Sequence, residues 1–269
     1  MTDRVSCVVS DGVADVRLTR GDKMNALDPA MFEAIAAAGE RLKTEPGLRA
    51  VVLSGEGRSF CAGLDFASFQ AMVGGEASDD TFNAGRMSDG GLTQLAQQIC
   101  WVWQEIPVPI IAAVHGAALG GGAQLALGAD IRIVAPDLKF SILEIKWGLV
   151  PDMTGTFRLA QLVRPDIAME LATTGRIVNG IEAEQMGLAT RVTSSPLDDA
   201  LAMARDIASK SPHAVRGVTE LLRAAYAGAD VATQFAQERQ MMRSLIGSPN
   251  QVESVMAGFE QRPAHFSDI

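Results

Sequence analysis

His115-Gly-Ala-Ala-Leu-Gly-Gly-Gly-Ala-Gln-Leu-Ala-Leu-Gly-Ala-Asp130 sets three consecutive glycines, Gly120 to Gly122, between an apolar strand, Ile110 to Val114, and the start of a helix. Such a strand–turn–helix unit marks an α/β fold. Its turn also exposes backbone N–H groups that can hold a developing negative charge. A glycine run in isolation is explained at least as well by close helix–strand packing. Two further segments change that balance. Ser59-Phe-Cys-Ala-Gly-Leu-Asp65 also joins a strand to a helix and can offer a second N–H. Leu143-Glu-Ile-Lys-Trp-Gly-Leu-Val-Pro-Asp152 brings two carboxylates.

Outward from the turn, Val5 to Val9 and Val13 to Leu18 alternate apolar and polar residues around Asp11-Gly12, the pattern of a hairpin. Asp28-Pro29 supplies an N-cap and a helix-starting proline, and Ala50 to Leu53 is the next strand. A helix is expected from Asp65 to about Met72, a mobile surface segment or active-site flap from Gly74 to Gly91, and a helix from Leu92 to about Glu105. Ile131 to Val134 and a short strand around Phe140 follow. Strand–turn–helix units in series predict α/β architecture with much parallel pairing. After Pro196 the pattern is helical only, with broad apolar faces that include Met241, Met242 and Met256. The expected organisation is a core over residues 1–195 and a helical C-terminal region over 196–269.

The net charge of −9 on 269 residues opposes nucleic-acid or membrane-surface binding, which needs a basic face. No apolar run reaches the roughly 18 residues of a membrane span, and the polar start lacks a signal-peptide pattern, so a cytoplasmic location is expected. Cys7, Cys61 and Cys100 have no metal or disulfide spacing, and the three histidines are dispersed, so no metal is expected. No Gly-x-Ser-x-Gly elbow occurs. The glycine run is neither a P-loop nor a dinucleotide fingerprint: Ala123-Gln124 stands where Lys-Ser/Thr is needed, and Leu125 where a third glycine is needed.

Taken together, Ser59 to Asp65, His115-Gly-x-x-x-Gly-Gly-Gly to Asp130, and Glu144-Ile-x-x-Gly-x-x-Pro followed by Gly155-Thr156-x-Arg158-Leu159 resemble the signature segments of the crotonase, or enoyl-CoA hydratase/isomerase, superfamily. The resemblance runs from Asn25-Ala-Leu27 to Phe259-Glu-Gln-Arg262. It implies a spiral core of ββα turns, a helical region used in a homotrimer or dimer of trimers, and an acyl-CoA thioester substrate with no separate cofactor. It also implies that the N–H groups of Leu64 and Gly121 form an oxyanion hole and that Glu144 is the base. Ala62, with Gly63 and Asp65 beside it, would lie against coenzyme A. Lys23 and Arg58 would neighbour its phosphates, and Phe259 and Arg262 would reach it from an adjoining region or subunit. The chemistry is consistent: two donors on a thioester oxygen stabilise the enolate by ~3 kcal/mol each.

Two positions depart from the hydratase pattern. Gln124 stands where hydratases carry a second glutamate, and an amide can orient water but cannot exchange its proton at neutral pH. Asp152 resembles a second proton-handling group of dienoyl-CoA isomerases, and it is equally an N-cap for a helix starting near Thr154. Glu144 could alternatively be a surface residue paired with Lys146. The resulting expectation is proton shuttling by Glu144, with double-bond isomerisation favoured over hydration. The alternatives are a hydratase proper and a catalytically weak acyl-CoA-binding protein. Trp101, Trp103 and Trp147 are expected in the core or the acyl-pocket wall, and His115 at a strand end with a structural hydrogen bond.

Overall fold

The computed structural model describes residues 4–66, 68, 70, 87 and 91–268. Its strands are β1 (Val5–Ser10), β2 (Val13–Leu18), β3 (Ala50–Gly55), β4 (Ile110–Val114), β5 (Ala117–Leu119), β6 (Ile131–Val134), β7 (Lys139–Ser141) and β8 (Arg191–Val192). Six of them form one sheet in the order β1-β2-β3-β4-β6-β8, in which the β1–β2 hairpin is antiparallel and every other pair is parallel. Asp11 and Gly12 both have positive φ, as a two-residue hairpin turn requires.

Parallel strands covered on both faces read as continuous apolar runs, and side-chain alternation then divides them between two cores. Val51 and Leu53 of β3 and Ile110, Ala112 and Val114 of β4 enter the larger core. This core also takes Phe32 and Ile35 of α1 (Pro29–Leu42) and Ile99 and Trp103 of α2 (Leu95–Glu105). Ala50 and Val52, Ile111 and Ala113 point the other way, onto Ala200, Ala204 and Ala208. Those alanines recur every four residues along α7 (Pro196–Ala208), giving a smooth stripe that lets the helix lie close on the sheet. The layer over this face is thus completed by a helix from beyond residue 195.

β5 and β7 pair in a separate two-stranded parallel sheet. β5 corrects the expected path: the glycine turn follows this three-residue strand rather than β4 directly, and leads into α3 (Gly121–Leu127). The chain continues through α4 (Gly155–Leu162), α5 (Pro165–Thr174) and α6 (Gly180–Gln185). It ends in α8 (Pro212–Tyr226), α9 (Val231–Leu245) and α10 (Pro249–Glu260). Arg223 of α8 ties this end to the core, donating to both Asp130 carboxylate oxygens and to the carbonyls of Gln104, Ile106 and Val108. Of the helix expected from Asp65, residues 66, 68 and 70 are helical, while the rest of it and most of the segment 74–91 lie outside the described residues. Among the described residues no helix is long and apolar enough to cross a membrane.

Candidate active site

Two loops meet at the glycine turn. The loop after β3 reaches β5 through a parallel bridge between Cys61 and Ala118: Cys61 N–H donates to Ala117 O and Leu119 N–H to Cys61 O, at 3.0 and 3.1 Å. On its other side Leu27 N–H donates to Gly63 O and Asp65 N–H to Leu27 O. The Leu64 N–H lies between these bonds and takes no part in them. A side-chain carbon on Gly63, whose φ is +88°, would overlap Leu119 O and would stand 3.7 Å from the Gly121 nitrogen. The peptide leading to Leu64 is therefore packed directly against the first residue of α3.

The three glycines do different work. Gly120 has φ 52° and ψ −122°, a conformation closed to residues with a Cβ, and it turns the chain so that the Gly121 N–H opens α3. Gly122 has no room for a Cβ because Cys61 O occupies that point. Close packing, one of the two readings of the run, holds at Gly122, while Gly120 supplies the turn that starts α3. Anion affinity at such a turn is reinforced by the helix dipole.

Glu144 opens a 3-10 turn, Glu144–Trp147, and its Oε1 lies 3.4 Å from the point where a Gly120 Cβ would sit. It has no ion-pair partner among the described residues; Lys146 instead places its Nζ over the Trp147 ring, 5.5 Å from the centroid. Burial raises the Glu144 carboxyl above its ordinary range. The N–H groups of Glu144 and Leu143 and the Gln124 amide oppose that rise, and the Asp152 charge adds to it. Its Oε2 is buried without a hydrogen-bond partner.

Gln124, fully buried, connects these parts. Its Oε1 accepts from the N–H groups of Met153 and Gly155, both at 2.9 Å, and its Nε2 donates to Glu144 Oε1 at 2.6 Å. Two backbone donors require an acceptor at Oε1, so the amide cannot be flipped.

Asp152 does not cap α4: the N-cap is Thr154, at φ 68°, and no side chain caps that end. Asp152 instead lines a cavity of about 320 Å³ with Thr93, Gln97, Trp101, Thr156 and Phe157. The cavity walls partly desolvate it and raise its carboxyl. The rings of Trp101 and Phe157 meet edge to face at 5.9 Å. Trp101 is thus a pocket wall and Trp103 is core, but Trp147 is half-exposed, against expectation, because it sits on the outer side of the Glu144 turn.

The remaining positions separate into near and far. Lys23 and Arg58 are exposed on neighbouring loops, since Gly21 packs against Glu56 and Gly57. Ala62 N–H is taken by Met24 O, so its carbonyl is the backbone group it can offer a ligand. Asp65 pairs with Arg20 at 2.5 Å, and Arg20 also holds Ala26 O, which fastens the Leu27 segment beneath the loop. Arg262 is bound within its own segment, by Glu253 and Glu260, and Phe259 is 80% exposed. His115 Nε2 meets Gly57 O at 2.9 Å, the structural bond expected of it. Burial pushes the Cys61 thiol up to about 12, which leaves it protonated and unreactive. No group of three or more His, Cys, Asp or Glu side chains able to hold a metal occurs among the described residues.

Sequence reasoning missed Asn25 and Arg20. Asn25 is buried in the left-handed region and donates to Glu56 O and Ser59 O, which sets the loop that leads to Gly63. A polar residue directly before the apolar Ala-Leu pair was the available signal.

The sequence profile of the enoyl-CoA hydratase/isomerase family matches residues 9–269. The chain belongs to that family, whose members are lyases and isomerases. It is 36% identical over 201 residues to a probable enoyl-CoA hydratase of Bacillus subtilis, covering 74% of each chain. It is 36% identical over 227 residues to the carnitinyl-CoA dehydratase of Proteus mirabilis, covering 83% of this chain and 82% of that one. The solved enoyl-CoA hydratase of Bacillus anthracis superposes with a TM-score of 0.88 at 28% identity, over 98% of both chains.

Proposed function

We propose that this protein acts on an acyl-CoA thioester, holding the thioester oxygen on the N–H groups of Leu64 and Gly121 while Glu144 moves a proton on the acyl chain. The observation that carries the proposal is Glu144 itself. A partly buried carboxylate without a cation, packed against the glycine that turns the Gly121 N–H outward, is costly unless it has a chemical role. A carboxyl raised by burial is a better match for proton abstraction near neutral pH than an ordinary glutamate. The two N–H groups disperse the charge that develops on the oxygen as the proton leaves.

Double-bond isomerisation suits this arrangement better than hydration. Isomerisation needs one carboxylate that takes a proton and returns it at another carbon, with no bond to water formed. Gln124 has both acceptor positions of its carbonyl filled by Met153 and Gly155, so it is poorly placed to activate water. Asp152 assists through its charge and its place on the cavity wall, where the acyl chain lies. Lys23, Arg58 and the Ala62 to Asp65 loop receive coenzyme A. Exposed Leu222, Phe235, Met242 and Phe259 on α8 to α10 supply the contacts of a homotrimer or dimer of trimers.

The names of the relatives favour a second reading, hydration proper, with Asp152 as the second carboxylate. Assays of purified protein on 3-enoyl-, dienoyl- and 2-enoyl-CoA separate the two. Turnover should be fastest when the double bond is shifted; fast addition of water to 2-enoyl-CoA would favour the second reading. Absence of turnover with retained CoA-ester binding would favour a catalytically weak binding protein.

A further inference from the structure

Gln124, on the helix opened by Gly121, hydrogen-bonds both to Glu144 and to the backbone of the loop carrying Asp152. It sits three residues into α3, is fully excluded from solvent, and makes three hydrogen bonds in fixed directions. Its carbonyl pins the backbone on both sides of Thr154. The conformation there is one that a β-branched residue adopts only when its surroundings enforce it. Its amide nitrogen holds one oxygen of Glu144 and leaves the other without a partner.

We infer that Gln124 is the positioning residue that sets both the geometry of Glu144 and the outcome of its chemistry. By binding Oε1 it fixes the carboxylate plane beside the glycine turn and leaves Oε2 as the oxygen that takes up the proton. The inference rests on Glu144 being the base. A glutamate at position 124 could still accept from Met153 and Gly155, but its second oxygen would face Glu144 Oε1 across the present 2.6 Å. Two carboxylates at that separation must share a proton. With glutamine the neighbour donates a hydrogen bond, which favours the ionised form of the base, and has no proton to exchange, so the base works alone. An amide here therefore commits the site to moving one proton between substrate carbons, where a second acid would let it deliver water.

Two substitutions divide the role. Gln124→Glu keeps the strut to 153–155 and removes the N–H donated to Glu144; Gln124→Met removes both. The readout independent of turnover is the Glu144 carboxyl itself, followed by carbon-13 NMR of glutamate-labelled protein and assigned by its loss in Glu144→Gln. Both variants should titrate at higher pH than wild type, because each loses a donor that favours the ionised form. In turnover, kcat should fall about 10²-fold with KM little changed, as expected of a misplaced base. Gln124→Glu should also gain hydration of 2-enoyl-CoA relative to isomerisation.

If Gln124→Met fails to fold, Gln124→Glu alone decides. An unmoved Glu144 titration in a folded Gln124→Glu protein overturns the inference. An upward shift in a protein that turns over no thioester would sustain the positioning of Glu144 while refuting the proposed function.

Discussion

The 3-10 turn that carries Glu144 and the loop that carries Asp152 each bring up a carboxylate, and they treat it differently. Glu144 is held by Gln124, lies against the glycine turn and has its Oε2 buried. Asp152 opens into a cavity and has no ion-pair partner among the described residues. Both carboxyls are raised by desolvation, and the charge of Asp152 raises Glu144 further. Desolvation raises both carboxyls, so the shift alone does not distinguish them; the Gln124 hydrogen bond and the place against Gly120 do.

The largest contrast is expected from removing each charge in turn. Glu144→Gln should lower turnover by about 10²–10⁴-fold, the usual contribution of a general base. Asp152→Asn should cost about tenfold or less. Comparable losses in steady-state assays would erase the distinction between the two loops. Next comes the donor side. Gly63→Ala forces a Cβ into Leu119 O and displaces the Leu64 N–H, and a loss of about 10²–10³-fold is expected. Full activity in that variant would remove Leu64 from the proposal.

A smaller effect concerns pH. If Glu144 acts ionised, the acid limb of kcat/KM lies above the range of an ordinary glutamate. Asp152→Asn removes a neighbouring negative charge, so it should move that limb to lower pH. A limb that stays in place would show that the two carboxylates do not sense one another.

The smallest effect is on stability. A carboxyl whose folded pKa is raised stabilises the fold below its unfolded pKa, and that contribution is lost as pH rises through the folded value. Glu144→Gln should therefore raise Tm at neutral pH, with the gain vanishing in acid. A lower Tm at pH 7 would mean that Glu144 helps to hold the fold.

The turns of the candidate site are legible in the sequence because they are local, and the roles of Leu64, Gly121 and Glu144 follow only from the family resemblance. The positive-φ glycines of the run and of the Ala62 to Asp65 loop mark their turns within a few residues, whereas Glu144 is held in place by Gln124, 20 positions away. The Asp28-Pro29 start of α1 was equally plain, since the Asp28 side chain accepts from Met31 N–H three residues on. What escaped depends on distant partners. The sequence shows Gln124 only as an amide able to orient water, because its bonds to residues 144, 153 and 155 cross 20 to 31 positions. Asp152 fits both site and cap in the sequence, and only the backbone places Thr154 at the cap position. β5 is three residues long, too short for alternation to register. The alanine stripe of α7 reads as a generic helix face until the sheet it covers is known.

The central claim is that Glu144 takes a proton from carbon beside a thioester oxygen held by two N–H groups. Incubating wild-type protein with a saturated acyl-CoA in D₂O and following its α-protons by NMR tests this step without requiring isomerisation or hydration. Wild type should exchange them and Glu144→Gln should slow exchange by at least about 10²-fold. Equal exchange in the two proteins would contradict the account.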